Sequence, residues 1–116
     1  DKVLSGENIS DYLQWRLPFA KGYEYRGQPV MITEFAGIGF NIENRNGGWG
    51  YGNQVKSKEE FAERLSGLVR EVRGNKRICG FCVTQVTDVE AEVNGLCDSE
   101  RKAKLEKDVV ARTIRQ

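Results

Sequence analysis

"QPVMITEFAGIGF", residues 28–40, decides how the rest of the chain is read. Pro29 opens a strand here, a position where a residue lacking its N–H is tolerated. Val30 to Thr33 then run almost without polar interruption. Such an unalternating run suits a strand buried on both faces, as in parallel sheets. Glu34 follows at once, a carboxylate at the end of an apolar strand. In α/β folds the sites lie at the carboxyl ends of parallel strands. Glu34 is therefore the first candidate for chemistry.

Working outward, Ser57 and Glu60 form an S-x-x-E capping box that starts a helix. Phe61, Leu65, Leu68, Val69 and Val72 recur along it at helical spacing and make one apolar stripe. Gly74 and Asn75 end it. "ICGFCV", residues 78–83, is a second unalternating apolar run. Strand, helix, strand is a βαβ unit, so the two strands are expected to be parallel. Polar residues Thr84, Gln85, Thr87 and Asp88 follow the second strand, close to Glu34 in a parallel pair. Leu105, Val109 and Ile114 mark a final helix within residues 104–116, and a short helix is expected over Asp11–Leu17, stopped by Pro18.

The whole chain sets the limits. Its 116 residues make one small domain with a limited core. Lys and Arg number 18 against 17 Asp and Glu, which argues against a nucleic-acid surface. No apolar run approaches the roughly 18 residues of a membrane span. "DKVLSGENIS" has no signal-like apolar stretch, and Asp1 in place of an initiator Met reads as a cut or processed chain. Three cysteines leave a thiol over, so no disulfide framework is expected, which favours a reducing, cytoplasmic setting. Histidine is absent, which removes Ser-His and Cys-His catalysis and histidine metal sites from this chain. Chemistry here falls to carboxylates and backbone, with no cofactor and no metal.

Residues 35–56 form a loop longer than the roughly 12–15 residues common in compact domains, which points to function. Its "GGWGYGN" fits neither G-x-G-x-x-G nor the Walker pattern. Glycines that let Trp49 and Tyr51 reach over a pocket, as a platform for a sugar ring, account for it better. Cys79 and Cys82 match C-x-x-C, but inside a strand such positions point to opposite faces, so they read as structural thiols. Asp88, Glu90 and Glu92 lack calcium-loop spacing and read as solvated loop charges, one or two of them facing the pocket.

"PVMITEFAG", "WGYGN", "GFCVTQVTDVEAEVNGL" and "DSERKAK" are similar, in order and spacing, to the C-terminal part of glycoside hydrolase family two catalytic domains. That family includes β-galactosidases, β-glucuronidases and β-mannosidases. The resemblance covers about residues 28–104 and implies part of a (β/α)₈ TIM barrel, its seventh and eighth strands with their helices. It makes residues 1–116 a C-terminal fragment of such a domain, since a full barrel takes about 250 residues. It implies that Glu34 is the nucleophile of a retaining β-glycosidase acting on a carbohydrate substrate. Gln85 and Asp88 would hydrogen-bond sugar hydroxyls beside the Trp49 and Tyr51 platform. The acid/base glutamate, preceded by asparagine in the family, is missing here, so the isolated chain is expected to be inactive. Relatives often carry glycine where Ala36 stands, an aromatic near Val83 or Thr84, and proline at the Ala103 position. A degenerate barrel that binds carbohydrate without cleaving it is one alternative. The other is a free-standing small α/β domain whose likeness to the barrel is only architectural, and whose open strand edges would need self-association or borrowed strands.

Overall fold

The computed structural model describes residues 19–43 and 46–115. Two strands, β1 (Val30–Ala36) and β2 (Ile78–Thr84), pair in parallel. Helix α1 (Lys58–Gly74) connects them, and α2 (Lys107–Arg115) follows β2. The helix expected over Asp11–Leu17 lies outside the described residues.

This architecture corrects the expected seventh and eighth strands of a TIM barrel. The sheet has two strands, and among the described residues no third strand joins either outer edge. A barrel needs its ladder continued on both sides until it closes. Here the remaining pairings are isolated bridges between loops, such as Ile38 with Tyr51 and Trp49 with Glu92. Among the described residues the fold is a small α/β unit of two parallel strands and two helices.

The strands are not buried on both faces either. Met31 is 57% exposed, and Cys79 and Cys82 are exposed too. Two irregularities in the ladder explain how the apolar residues are nevertheless sorted. Ile32 pairs with Phe81 and Phe35 with Val83, so three steps on β1 match two on β2. The extra residue brings Ile32 and Phe35 to the same face, which strict alternation would forbid. Phe35 and Phe81 then meet edge-on with centroids 5.4 Å apart. Thr33 and Glu34, at the bulge, are both exposed.

Helix α1 follows its sequence signals closely. Ser57 Oγ accepts from the Glu60 N–H at 3.1 Å, while the Glu60 carboxylate accepts from the Lys56 N–H at 2.8 Å, one residue before the usual box partner. Phe61, Leu65, Val69 and Val72 are buried and Leu68 is half-buried. Each such side chain contributes about 1.5–3 kcal/mol when fully buried, which outweighs the helix penalty of about 1 kcal/mol from Gly67. The helix stops at Gly74, and the Asn75 N–H closes on the Val72 carbonyl in extended, not left-handed, backbone. The stripe packs against Ile38, Phe40 and Val55 of the loop after β1 and against Leu105 just before α2, which complete the cluster around Phe61, Leu65 and Val69. The sheet joins this core through Phe35, Ala36 and Phe81. The long loop is thus a wall of the core.

Candidate functional site

The site is built where the two long loops cross at the carboxyl ends of β1 and β2. The Gly37 N–H continues from the sheet onto the Thr84 carbonyl at 2.8 Å. Tyr51 and Val55 donate their N–H groups to the Gly37 and Gly39 carbonyls at 2.7 and 2.9 Å. On the other side the Phe40 N–H reaches the Val93 carbonyl at 2.8 Å, and Trp49 exchanges bonds with Ala91 and Val93 at 2.8 and 2.9 Å. Three irregular segments therefore behave as a short improvised ladder.

Glycine makes that crossing possible. A Cβ on Gly50 would sit 2.4 Å from the Gly39 Cα, and one on Gly37 would run into the Tyr51 ring. The backbones touch at Gly39 and Gly50, and the Tyr51 ring lies over Gly37. The glycines of "GGWGYGN" serve the close approach that presents Trp49 and Tyr51, whose ring centroids are 6.4 Å apart.

The Tyr51 hydroxyl donates to Glu34 Oε1. That hydrogen bond, with smaller help from desolvation and from the negative charges of Glu34 and Glu92, raises the Tyr51 phenol above its ordinary range. Tyr51 keeps its proton for Glu34, and Glu34 Oε2 has no partner among the described bonds. The surface is an open shelf, with Trp49 46% and Tyr51 43% exposed.

Gln85 lies beside it, just past β2 and after a cis Thr84–Gln85 peptide bond. Its Nε2 donates to Asn94 Oδ1 at 2.7 Å and to Glu92 Oε2 at 3.2 Å. Glu92 bridges to Trp49 through the backbone, so Gln85, Glu92, Trp49, Tyr51 and Glu34 form one continuous group. Asn94 Nδ2 is buried and without a partner among the described residues.

Asp88 is not part of that group. It is buried, its Oδ1 accepting from Lys104 Nζ at 2.7 Å and from the Gly95 N–H at 2.8 Å. Lys104 is fully buried and also donates to the Phe40 and Val93 carbonyls at 2.8 and 2.9 Å. All three lysine protons have acceptors. This pair clamps the crossing from inside and offers nothing to a ligand. Of the five residues singled out from the sequence, four come together and one holds the others up.

Sequence reading places Glu92 in an acidic loop series with one or two members facing the pocket, without saying which, and passes over Asn94 and Lys104. The alternating spacing of Glu92 and Asn94 was a usable signal, because in extended backbone both fall on one side. Lys104 carried none. Among the described residues no three metal-ligating side chains converge, and no helix is long and apolar enough to cross a membrane. Compared with known proteins, the chain matches no protein-family model and no curated protein.

Proposed function

We propose that this chain carries the nucleophile of a retaining β-glycosidase, β-galactosidase-like in class, which hydrolyses terminal β-linked sugars. The observation that supports this reading is the Glu34 carboxylate: exposed at a strand bulge and held through Oε1 by the Tyr51 hydroxyl, with Trp49 beside it. One oxygen anchored and the other without a partner among the described residues is the arrangement an attacking carboxylate needs. The free oxygen attacks the anomeric carbon while an acid protonates the departing oxygen, and a glycosyl-enzyme ester forms. Water, deprotonated by the group that served as the acid, then attacks the anomeric carbon, breaks its bond to the Glu34 oxygen and releases the sugar. Trp49 and Tyr51 offer aromatic faces to the ring's C–H groups, and Gln85 accepts from a hydroxyl.

The second carboxyl of a retaining pair stands about 5–5.5 Å from the nucleophile. No residue of this chain is assigned to it, since Glu92 is engaged by Gln85. The 116 residues alone are therefore expected to turn over very little. Carbohydrate binding without cleavage is the second reading, favoured by the half-exposed Trp49 and Tyr51 pair.

Treatment of the protein that contains this chain with activated 2-deoxy-2-fluoro β-glycosides separates the two. A covalent sugar on the Glu34 peptide, located by mass spectrometry and absent in Glu34→Gln, is the expected result. Saturable glycan binding with no adduct from any sugar moves the assignment to the binding reading.

A further inference from the structure

The hydrogen bonds around Gln85 carry more than its nearness to Glu34. A carboxamide can be turned either way, and its neighbours decide which end faces them. Glu92 Oε2 and Asn94 Oδ1 are both acceptors, and both take hydrogens from Gln85 Nε2. Turning the amide over would set three oxygens against one another. Glu92 thereby fixes the Gln85 amide with both N–H groups occupied, and Oε1 is the atom left over.

The same account applies along the shelf. Tyr51 commits its one O–H to the hydrogen bond with Glu34, which leaves its oxygen as an acceptor. Glu34 and Glu92 are acceptor-only as carboxylates and bring two negative charges to either side of the Trp49–Tyr51 pair. Asn94 Nδ2, a buried donor unpartnered among the described residues, is closed off from solvent and out of a ligand's reach. Lys104, the nearby cation, is neutralised by Asp88 inside the core. Apart from the indole N–H of Trp49, the side chains of this group offer oxygen acceptors and negative charge.

We infer that the sugar held at Glu34 is neutral or positively charged, that acidic sugars are rejected, and that Gln85 Oε1, oriented by Glu92, accepts a hydrogen bond from a ring hydroxyl. This rests on the glycosidase reading and narrows its substrate class. Uronic acids and sulfated or phosphorylated sugars would bring an anion against two carboxylates with no cation bonded to this group among the described residues, and like charges at contact distance disfavour binding. A hydroxyl, ammonium or imino N–H supplies the donor each oxygen lacks. Glu92 is a positioning residue in this scheme, acting through Gln85 and through its charge.

The test uses the ¹⁵N-labelled 116-residue chain and three matched probe sets in the gluco, galacto and manno configurations: methyl β-glycosides, their uronates, and the corresponding piperidine iminosugars. Backbone signals near Glu34 and the side-chain amide of Gln85 report binding directly. The expected order is iminosugar first, neutral glycoside second, and no saturable shift with uronate. Glu92→Gln keeps the shape and removes the charge, and is expected to weaken the iminosugar about fivefold, the worth of one solvated charge at contact. The neutral glycoside should lose less. Gln85→Met should weaken both. A uronate that binds as tightly as the neutral glycoside of its configuration overturns this inference and leaves the nucleophile assignment standing. Absence of shifts at Glu34 and Gln85 with every probe overturns both.

Discussion

Glu34 and Asp88 stand near the carboxyl ends of the two parallel strands, and along the sequence they look like the same kind of residue. Folded, they are opposites. Glu34 sits at a bulge on the open face and meets one phenol. Asp88 is buried against a fully buried lysine that also caps two carbonyls. The contrast separates a carboxylate that can act from one that holds. What decides it is the partner: a neutral donor at the surface leaves an oxygen free, whereas an ammonium inside the core takes up the charge.

The largest expected effect comes from attacking the buried member. Lys104→Met leaves Asp88 with the Gly95 N–H as its remaining bond among the described residues and takes the ammonium from the Phe40 and Val93 carbonyls, which keep one backbone N–H each. Breaking one partner of a buried pair costs about 3–5 kcal/mol, a large share of the roughly 5–15 kcal/mol that holds a small domain together. Glu34→Gln, in contrast, should change stability by no more than about 0.5 kcal/mol, as an exposed substitution. Urea unfolding of both variants checks this. Equal losses would abolish the distinction between the acting and the holding carboxylate.

That distinction was only half legible in the sequence. Glu34, Trp49, Tyr51 and Gln85 could be grouped because strand ends and glycine-spaced aromatics are local signals. Helix α1 was legible from its Ser57 cap and its apolar stripe, and the parallel pairing followed from two apolar runs flanking it. Asp88 was misassigned to the sugar because its partner lies 16 residues on and its fate depends on carbonyls from Phe40 and Val93. No local pattern marks a lysine for full burial. The expected barrel came from a resemblance, and the two-stranded sheet does not continue into one. Burial on both faces failed for a different reason. Bulges at Ile32/Phe35 and Val30/Met31 re-sort the side chains, and an extra residue in a ladder leaves no mark on hydrophobicity.

A smaller effect sharpens the Glu34 side. Ala36, two residues further on, has φ +76°, in the left-handed region where a Cβ is unwelcome. The strain of that conformation is about 1–2 kcal/mol, and glycine's greater unfolded freedom offsets about 0.5–1 kcal/mol of the relief. Ala36→Gly should therefore raise stability by up to about 1 kcal/mol, seen as a higher urea midpoint with an unchanged slope. Ala36→Val should lower it. A stable Ala36→Val variant would mean that the turn carrying the chain from β1 to Gly37 is not strained, and that the bulge alone positions Glu34.

The smallest effect is the most specific to the Glu34–Tyr51 bond. The hydrogen bond to Glu34, followed by desolvation and the charges of Glu34 and Glu92, raises the Tyr51 phenol above its usual value. A group whose pKa is raised on folding binds its proton more tightly in the native state. Its contribution is complete below the ordinary tyrosine range near pH 10, and is lost as pH rises through the raised value. Ultraviolet titration of tyrosinate, taken as the difference between the chain and Tyr51→Phe, isolates this phenol from the other three tyrosines. It should ionise later than a free tyrosine. Glu34→Gln should bring it back toward the ordinary value, because the amide no longer accepts as strongly and the negative charge is gone. Asp88→Asn, whose effect is confined to the buried clamp, should leave the titration where it was provided the variant stays folded. A Tyr51 midpoint that moves with Asp88 and ignores Glu34 would reverse the roles of the two carboxylates.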